Sequence, residues 1–173
     1  MPIILGTATR GPSHIMNDGG DIYREPGRRH PARGVQIEVG QPTIVFLTVC
    51  TKNRERWLAQ KPVEQALISV WQEADTWLVG EYILMPDHLH LFCAPRDLHF
   101  TLQQWVTYWK REFSCLHLAE TGTWQRDFWD TRLRRGENYT EKWHYVRQNP
   151  VRAGLTKSAD EWPFQGRLNS LRW

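Results

Sequence analysis

Cysteine is scarce: three residues, at 50, 93 and 115, with no CxxC spacing among them. That leaves no disulfide framework to hold the chain together. Cys50 and Cys93 instead lie in apolar, strand-like runs, which suits reduced, buried thiols in a cytoplasmic protein. Long hydrophobic runs are missing too. None approaches the ~20 residues that a membrane-spanning helix needs. The start, "MPIILGTATRG", is short and has no basic opening, so it does not read as a signal peptide. No internal repeat is visible, and 173 residues suit one domain.

Apolar content of 40% and charged content of 24% are ordinary for a globular chain, but ten tryptophans are many. The net charge of +3 is small and unevenly spread. Residues 24–33, "REPGRRHPAR", hold four Arg and one Glu, and residues 126–152 hold seven Arg or Lys and four acids. Arginines clustered with Trp and Tyr form the composition of a nucleic-acid surface.

Residues 1–41 are rich in Gly, Pro and Arg without periodicity, and read as an extended basic arm. Residues 42–173 read as a single domain with an irregular tail. "TIVFLTVCT", 43–51, is a β-branched strand. Residues 62–78 carry an apolar helical stripe from Val63 to Trp77, and Gly80 separates it from a strand at about 81–86. After the turn "MPD" comes a strand at about 88–94. A second helix spans about 102–119, with Thr101 and Gln104 in a capping-box pattern. A further strand lies near 129–134, and a third helix at about 138–148 is stopped by Pro150. This order predicts a ferredoxin-like α+β fold: an antiparallel sheet, two helices on one face, a C-terminal helix and an open second face.

The strand "HLHLFCAP" sets His88 and His90 one residue apart in an apolar run. Strand side chains alternate, so both imidazoles point one way, with Leu89 and Leu91 the other. Each neutral imidazole offers one nitrogen lone pair to a divalent metal. Two polar residues on a wet sheet face would give the same pattern, so the pair alone does not decide.

The third helix adds the missing part. On a wheel at about 100° per residue, Tyr139, Trp143 and Val146 form the packing stripe. Tyr145 falls about 160° from Trp143, and Asn149 about 40° from Tyr145, one turn on. Two imidazoles and an amide oxygen can hold Mg2+ or Mn2+, and a phenol beside that metal can attack a phosphodiester.

With "MPDHLHLF", "FLTVCTKNR", "WQRDFWDTRLR", "YVRQNPVRAGL" and "EWPF" in this order, the stretch 43–164 resembles the single-tyrosine HUH transposases, and within them the REP-associated tyrosine transposases. The resemblance implies metal-dependent cleavage and joining of single-stranded or hairpin DNA through a covalent 5′-phosphotyrosine. Carried onto this chain, it implies His88 and His90 as ligands and Tyr145 as nucleophile. The insertion-sequence branch has a Gln four residues after the Tyr as third ligand; here that position is Asn149, with Gln148 beside it. A cytoplasmic, nucleoid-associated monomer or homodimer is the expected setting. Arg132, Arg134, Arg135, Arg147 and Arg152, with Arg28 and Arg29 of the arm, are expected to meet phosphates. Trp129, Trp162 and Trp173 are candidates for base stacking. The rival readings are a catalytically silent hairpin-binding module and an RNA-binding sheet, although the latter needs exposed aromatics where this strand has imidazoles. A small metallohydrolase lacks its carboxylates, since Asp87 is the one acid beside the His pair.

Overall fold

The computed structural model describes residues 43–116, 118, 121–133 and 139–172. In chain order the elements are β1 Ile44–Thr51, α1 Lys61–Glu73, β2 Trp77–Met85, β3 His88–Pro95, α2 Leu102–Cys115, β4 Trp124–Leu133, α3 Tyr139–Arg147, α4 Asn149–Arg152 and β5 Gln165–Arg167. Short 3-10 turns lie at Lys52–Arg54 and Ala159–Glu161. The sheet has the order β4-β1-β3-β2-β5, with every pairing antiparallel. Its first four strands, with α1 and α2, make the ferredoxin-like arrangement that the sequence predicts. The expected arm, including Arg28 and Arg29, lies outside the described residues, as do Arg134, Arg135 and Trp173.

Alternation along β1 and β3 sends Val45, Leu47, Val49, Leu89, Leu91 and Cys93 to one face. The apolar stripes of α1 and α2 cover it. Half of the ten tryptophans are absorbed here: Trp57, Trp71, Trp77, Trp105 and Trp109 are buried. Trp105 Nε1 donates to the Ala74 carbonyl at 2.7 Å and Trp77 Nε1 to that of Phe100 at 2.9 Å. Thr101 and Gln104 do close a capping box on α2.

The structure departs from the sequence reading at several boundaries. Helix α1 ends at Glu73 and Trp77 opens β2. Trp77 falls three residues after Ala74, a spacing that suits a helix as well as a strand that follows one, so the stripe reads through the true end. Helix α2 stops at Cys115 and β4 begins as early as Trp124. The tail is not wholly irregular, because β5 adds a strand on the β2 edge, where Arg167 pairs with Glu81 at 2.5 Å.

Gly80 lies inside β2, where the register with β3 slips between Val79 and Tyr82. A Cβ there would stand 2.7 Å from Leu171 Cδ1 and 3.1 Å from Tyr139 Oη. The tail crosses the strand at this point. Gly80→Ala should therefore displace Leu171 and cost about 1 kcal/mol, the low end for overpacking because the atoms met first belong to the end of a flexible side chain. An unchanged urea midpoint would show that Leu171 swings aside freely.

The second sheet face is open only at one end. Helix α3 packs on it through Tyr139, Trp143 and Val146, the expected stripe, against Phe46, Phe92 and Ile83. Trp162 and Leu171 of the tail complete this smaller core. The stripe needed a surface, and this half of the sheet supplies it. The end beyond α3 carries half-buried Thr48, His88 and His90, with Cys50 buried on the same face.

Candidate metal and nucleic-acid site

Register places the two histidines. Across the sheet His88 faces Cys50 and Met85, and His90 faces Thr48 and Ile83. Both imidazoles occupy one face, ring centroids 4.9 Å apart and nearly perpendicular. His88 Nδ1 lies 2.7 Å from Asp87 Oδ1, and Arg54 Nε donates to Asp87 Oδ2 at 2.8 Å. Thr51 holds the turn, donating its backbone N–H and its hydroxyl to the Asp87 carbonyl, each at 3.0 Å. His90 Nδ1 lies 2.8 Å from Thr48 Oγ1, and its ring stacks on Phe46 with centroids 5.2 Å apart. With both Nδ1 atoms engaged, Nε2 is the nitrogen left on each ring for a metal.

The electrostatics suit that role. Burial pulls the His90 pKa well below the ordinary value, and the charges of His88, Lys142, Arg54 and Arg152 pull the same way. His90 is thus a neutral ring at neutral pH. Burial works to raise the Asp87 carboxyl, but the bond from His88 and the charges of His88 and Arg54 outweigh it and hold it below its usual range. Asp87 is a carboxylate that fixes the tautomer of His88.

Tyr145 stands on the exposed side of α3, 51% accessible. The Arg152 guanidinium lies over its ring, 4.3 Å from the centroid, and donates to the Tyr145 carbonyl at 2.9 Å. The same guanidinium donates to Asn149 Oδ1 in a short bond. Tyr145 and Asn149 do not share one continuous helix: α3 ends at Arg147, and α4 begins at Asn149 with Pro150 in its first turn. Arg152 is what joins them, and its charge also reaches His90.

Other expected residues fall elsewhere. Arg147 pairs with Asp160 and donates to Gln165 Oε1 at 3.3 Å, so it fastens α3 to the tail. Arg132 pairs across from Val45, whose side chain belongs to the helix-covered core, and so lies on the face away from the histidines. Trp162 is buried and donates to the Leu84 carbonyl at 2.9 Å, which removes it as a stacking surface. Trp129 stays 41% exposed on β4. Among the described residues, no three His, Cys, Asp or Glu side chains gather as a metal cluster.

Sequence reasoning missed Arg54, Thr48 and Lys142. Thr48 was within reach, since alternation sets it opposite Val49 and so on the His face. Arg54 follows Asn53 in a turn where both have positive φ, 60° and 55°, and nothing local announces that it folds back on Asp87.

No family model matches the chain. A REP-associated tyrosine transposase of Escherichia coli (strain K12) is 25% identical over 123 residues, 69% of this chain and 73% of that protein. A Haemophilus influenzae protein carrying the same family name is 26% identical over 96 residues, 47% of this chain and 53% of its own length. The chain is similar to the REP-associated tyrosine transposases. A solved structure of a REP-associated tyrosine transposase bound to a REP hairpin superposes with a TM-score of 0.58, covering 78% of this chain and 82% of that one. At 20% identity this likeness shows the shared ferredoxin-like fold. No described helix is long and apolar enough to cross a membrane.

Proposed function

We propose that this REP-associated tyrosine transposase relative nicks and rejoins single-stranded or hairpin DNA, with Tyr145 as nucleophile and a Mg2+ or Mn2+ held by His88 and His90. The observation that carries the reading is the pair of imidazoles, side by side on one face of the sheet with each engaged at Nδ1, which leaves Nε2 for a metal. Arg152 supports it by contacting Tyr145 and Asn149 while acting on His90.

The donor set fits a divalent cation in its nitrogen half. Two imidazoles oriented by Asp87 and Thr48 are an ordinary partial coordination sphere. The third ligand in this reading, Asn149, has its oxygen engaged by Arg152, so that bond must give way on loading. A bound cation supplies positive charge that favours the phenolate and draws electrons from the scissile phosphate. Tyr145 Oη then bonds to phosphorus, the bond to the 3′ oxygen breaks, and that oxygen takes a proton as the phenol has lost one. The product is a tyrosine ester of the 5′ phosphate and a free 3′-OH. Attack by a 3′-OH on the ester restores Tyr145 and rejoins the strand, with no outside energy source. Arg152, released from Asn149, is placed to receive a phosphate oxygen, and Arg134, Arg135, Arg28 and Arg29 extend the basic surface in this reading.

The engagement of Asn149 by Arg152 favours one second reading, a hairpin-binding module that has lost chemistry. Incubation with hairpin oligonucleotides and Mn2+ separates the two. A protein band of lower mobility on a denaturing gel is expected, and binding without that band supports the silent module.

The third ligand has its own test. Asn149→Ala should raise the Mn2+ concentration needed for half-maximal cleavage by about 10-fold or more, as losing one oxygen donor does at an exposed site. Gln148→Ala should leave it unchanged. The reverse result would transfer the role to Gln148.

A further inference from the structure

We propose that Trp129 is the stacking platform for one unpaired base of the DNA strand that enters beside the His pair, and that Lys142 receives a neighbouring phosphate. The inference rests on the nucleic-acid reading above and assigns a part of that site which the chemistry does not use.

Strand β4 is an outer strand of the sheet. Along it Asp127, Trp129 and Thr131 are exposed and alternate with half-buried Phe128 and Asp130. Among the described residues Trp129 is the one tryptophan that is exposed; the others are buried or packed against a core. Leaving an indole in water forgoes the burial that the other rings obtain. The position is not a random one on the surface. Thr48 pairs with Trp129 on one side and with His90 on the other, so the three form a row across one face. Two strand spacings put the indole backbone roughly 10 Å from that of His90. A short extended stretch of single strand spans this gap.

The charge on the same face selects the partner. Lys142 Nζ stands over the Phe46 ring, 4.9 Å from its centroid, and Phe46 stacks on His90. Phe46 pairs with Thr131, the next residue after Trp129 on that side of β4. Arg54 and Arg152 add positive charge around His90. A ligand that has planar rings and negative charge at regular spacing matches this surface; an apolar peptide would offer the cations no negative charge. Bases stack on an indole with little regard to sequence. Trp129 therefore holds the strand in place and leaves the reading of sequence to other contacts.

The experiment uses the full chain and a hairpin oligonucleotide with single-stranded flanks, together with a set carrying one abasic site at each flank position. Wild type should lose about 5- to 150-fold in affinity at one position, the loss expected for one stacked base. Trp129→Ala should bind intact DNA weaker by the same factor and be indifferent to the abasic site at that position. Trp129→Phe should retain most of the affinity, and thermal melting should show all variants folded, since the side chain is exposed. Lys142→Gln should flatten the dependence of log K on log salt by about 0.7, one single-strand phosphate contact. Wild-type affinity in Trp129→Ala, or a penalty from the abasic site that persists in the variant, overturns the inference even where wild type forms the covalent adduct. Failure of wild type to bind any hairpin would overturn the nucleic-acid reading and this inference with it.

Discussion

Tyr145→Phe is expected to bind hairpin DNA as tightly as wild type, and to form no covalent adduct and cleave no strand. The substitution removes one oxygen and keeps the ring under Arg152. Its effect on fold should be slight, because the side chain is half exposed. The loss should reach the detection limit, since no bond to phosphorus can form without the phenol oxygen. A denaturing gel with labelled oligonucleotide checks adduct and cleavage together, and a filter-binding titration checks affinity. Adduct formed by Tyr145→Phe would move the nucleophile elsewhere. Tyr139 is the sequence alternative, but its hydroxyl is buried against Phe92 and Gly80.

The second large effect belongs to the imidazoles. His88→Ala and His90→Ala should each lower cleavage by about 100-fold or more, the scale of the several kcal/mol that metal polarisation contributes. EDTA on wild type should reproduce the loss. His90 also packs on Phe46, so its variant should melt lower, whereas His88 is the more exposed of the pair and gives the cleaner measurement. Asp87→Asn separates orientation from ligation. It keeps both rings but weakens the bond that fixes the His88 tautomer, and should lower Mn2+ affinity by about 10- to 100-fold. Cleavage that survives EDTA would remove the metal from the reading and leave the histidines as proton carriers.

Much of this site was legible because its parts are local. The period of two in "HLH" sets both imidazoles on one face whatever the rest of the sheet does. The wheel of α3 separates Trp143 and Val146 from Tyr145 without any knowledge of what they pack on. Illegible were the relations between distant residues. Thr48 meets His90 across 42 positions, and Trp162 reaches Leu84 across 78. Arg147 looked free to meet phosphate until Asp160, 13 residues on, proved to hold it. The helix stripe that ran on to Trp77 shows the other limit: spacing alone does not mark where a helix stops if the strand after it continues the apolar count.

Helix α3 is anchored to the sheet by Trp143 and Val146, the neighbours of Tyr145 on either side of its turn. A DNA end esterified to Tyr145 would thus be leashed to a rigid scaffold by a single side chain. Its effective molarity near the imidazoles would far exceed that of any end free in solution. Which product forms would then depend on which 3′-OH visits the leashed end. The original neighbour starts with the advantage of proximity, so restoring the starting strand is the default and exchange requires that neighbour to be carried away. A hairpin whose stem holds one side of the cut while the other diffuses off would tilt that contest without any movement of the protein.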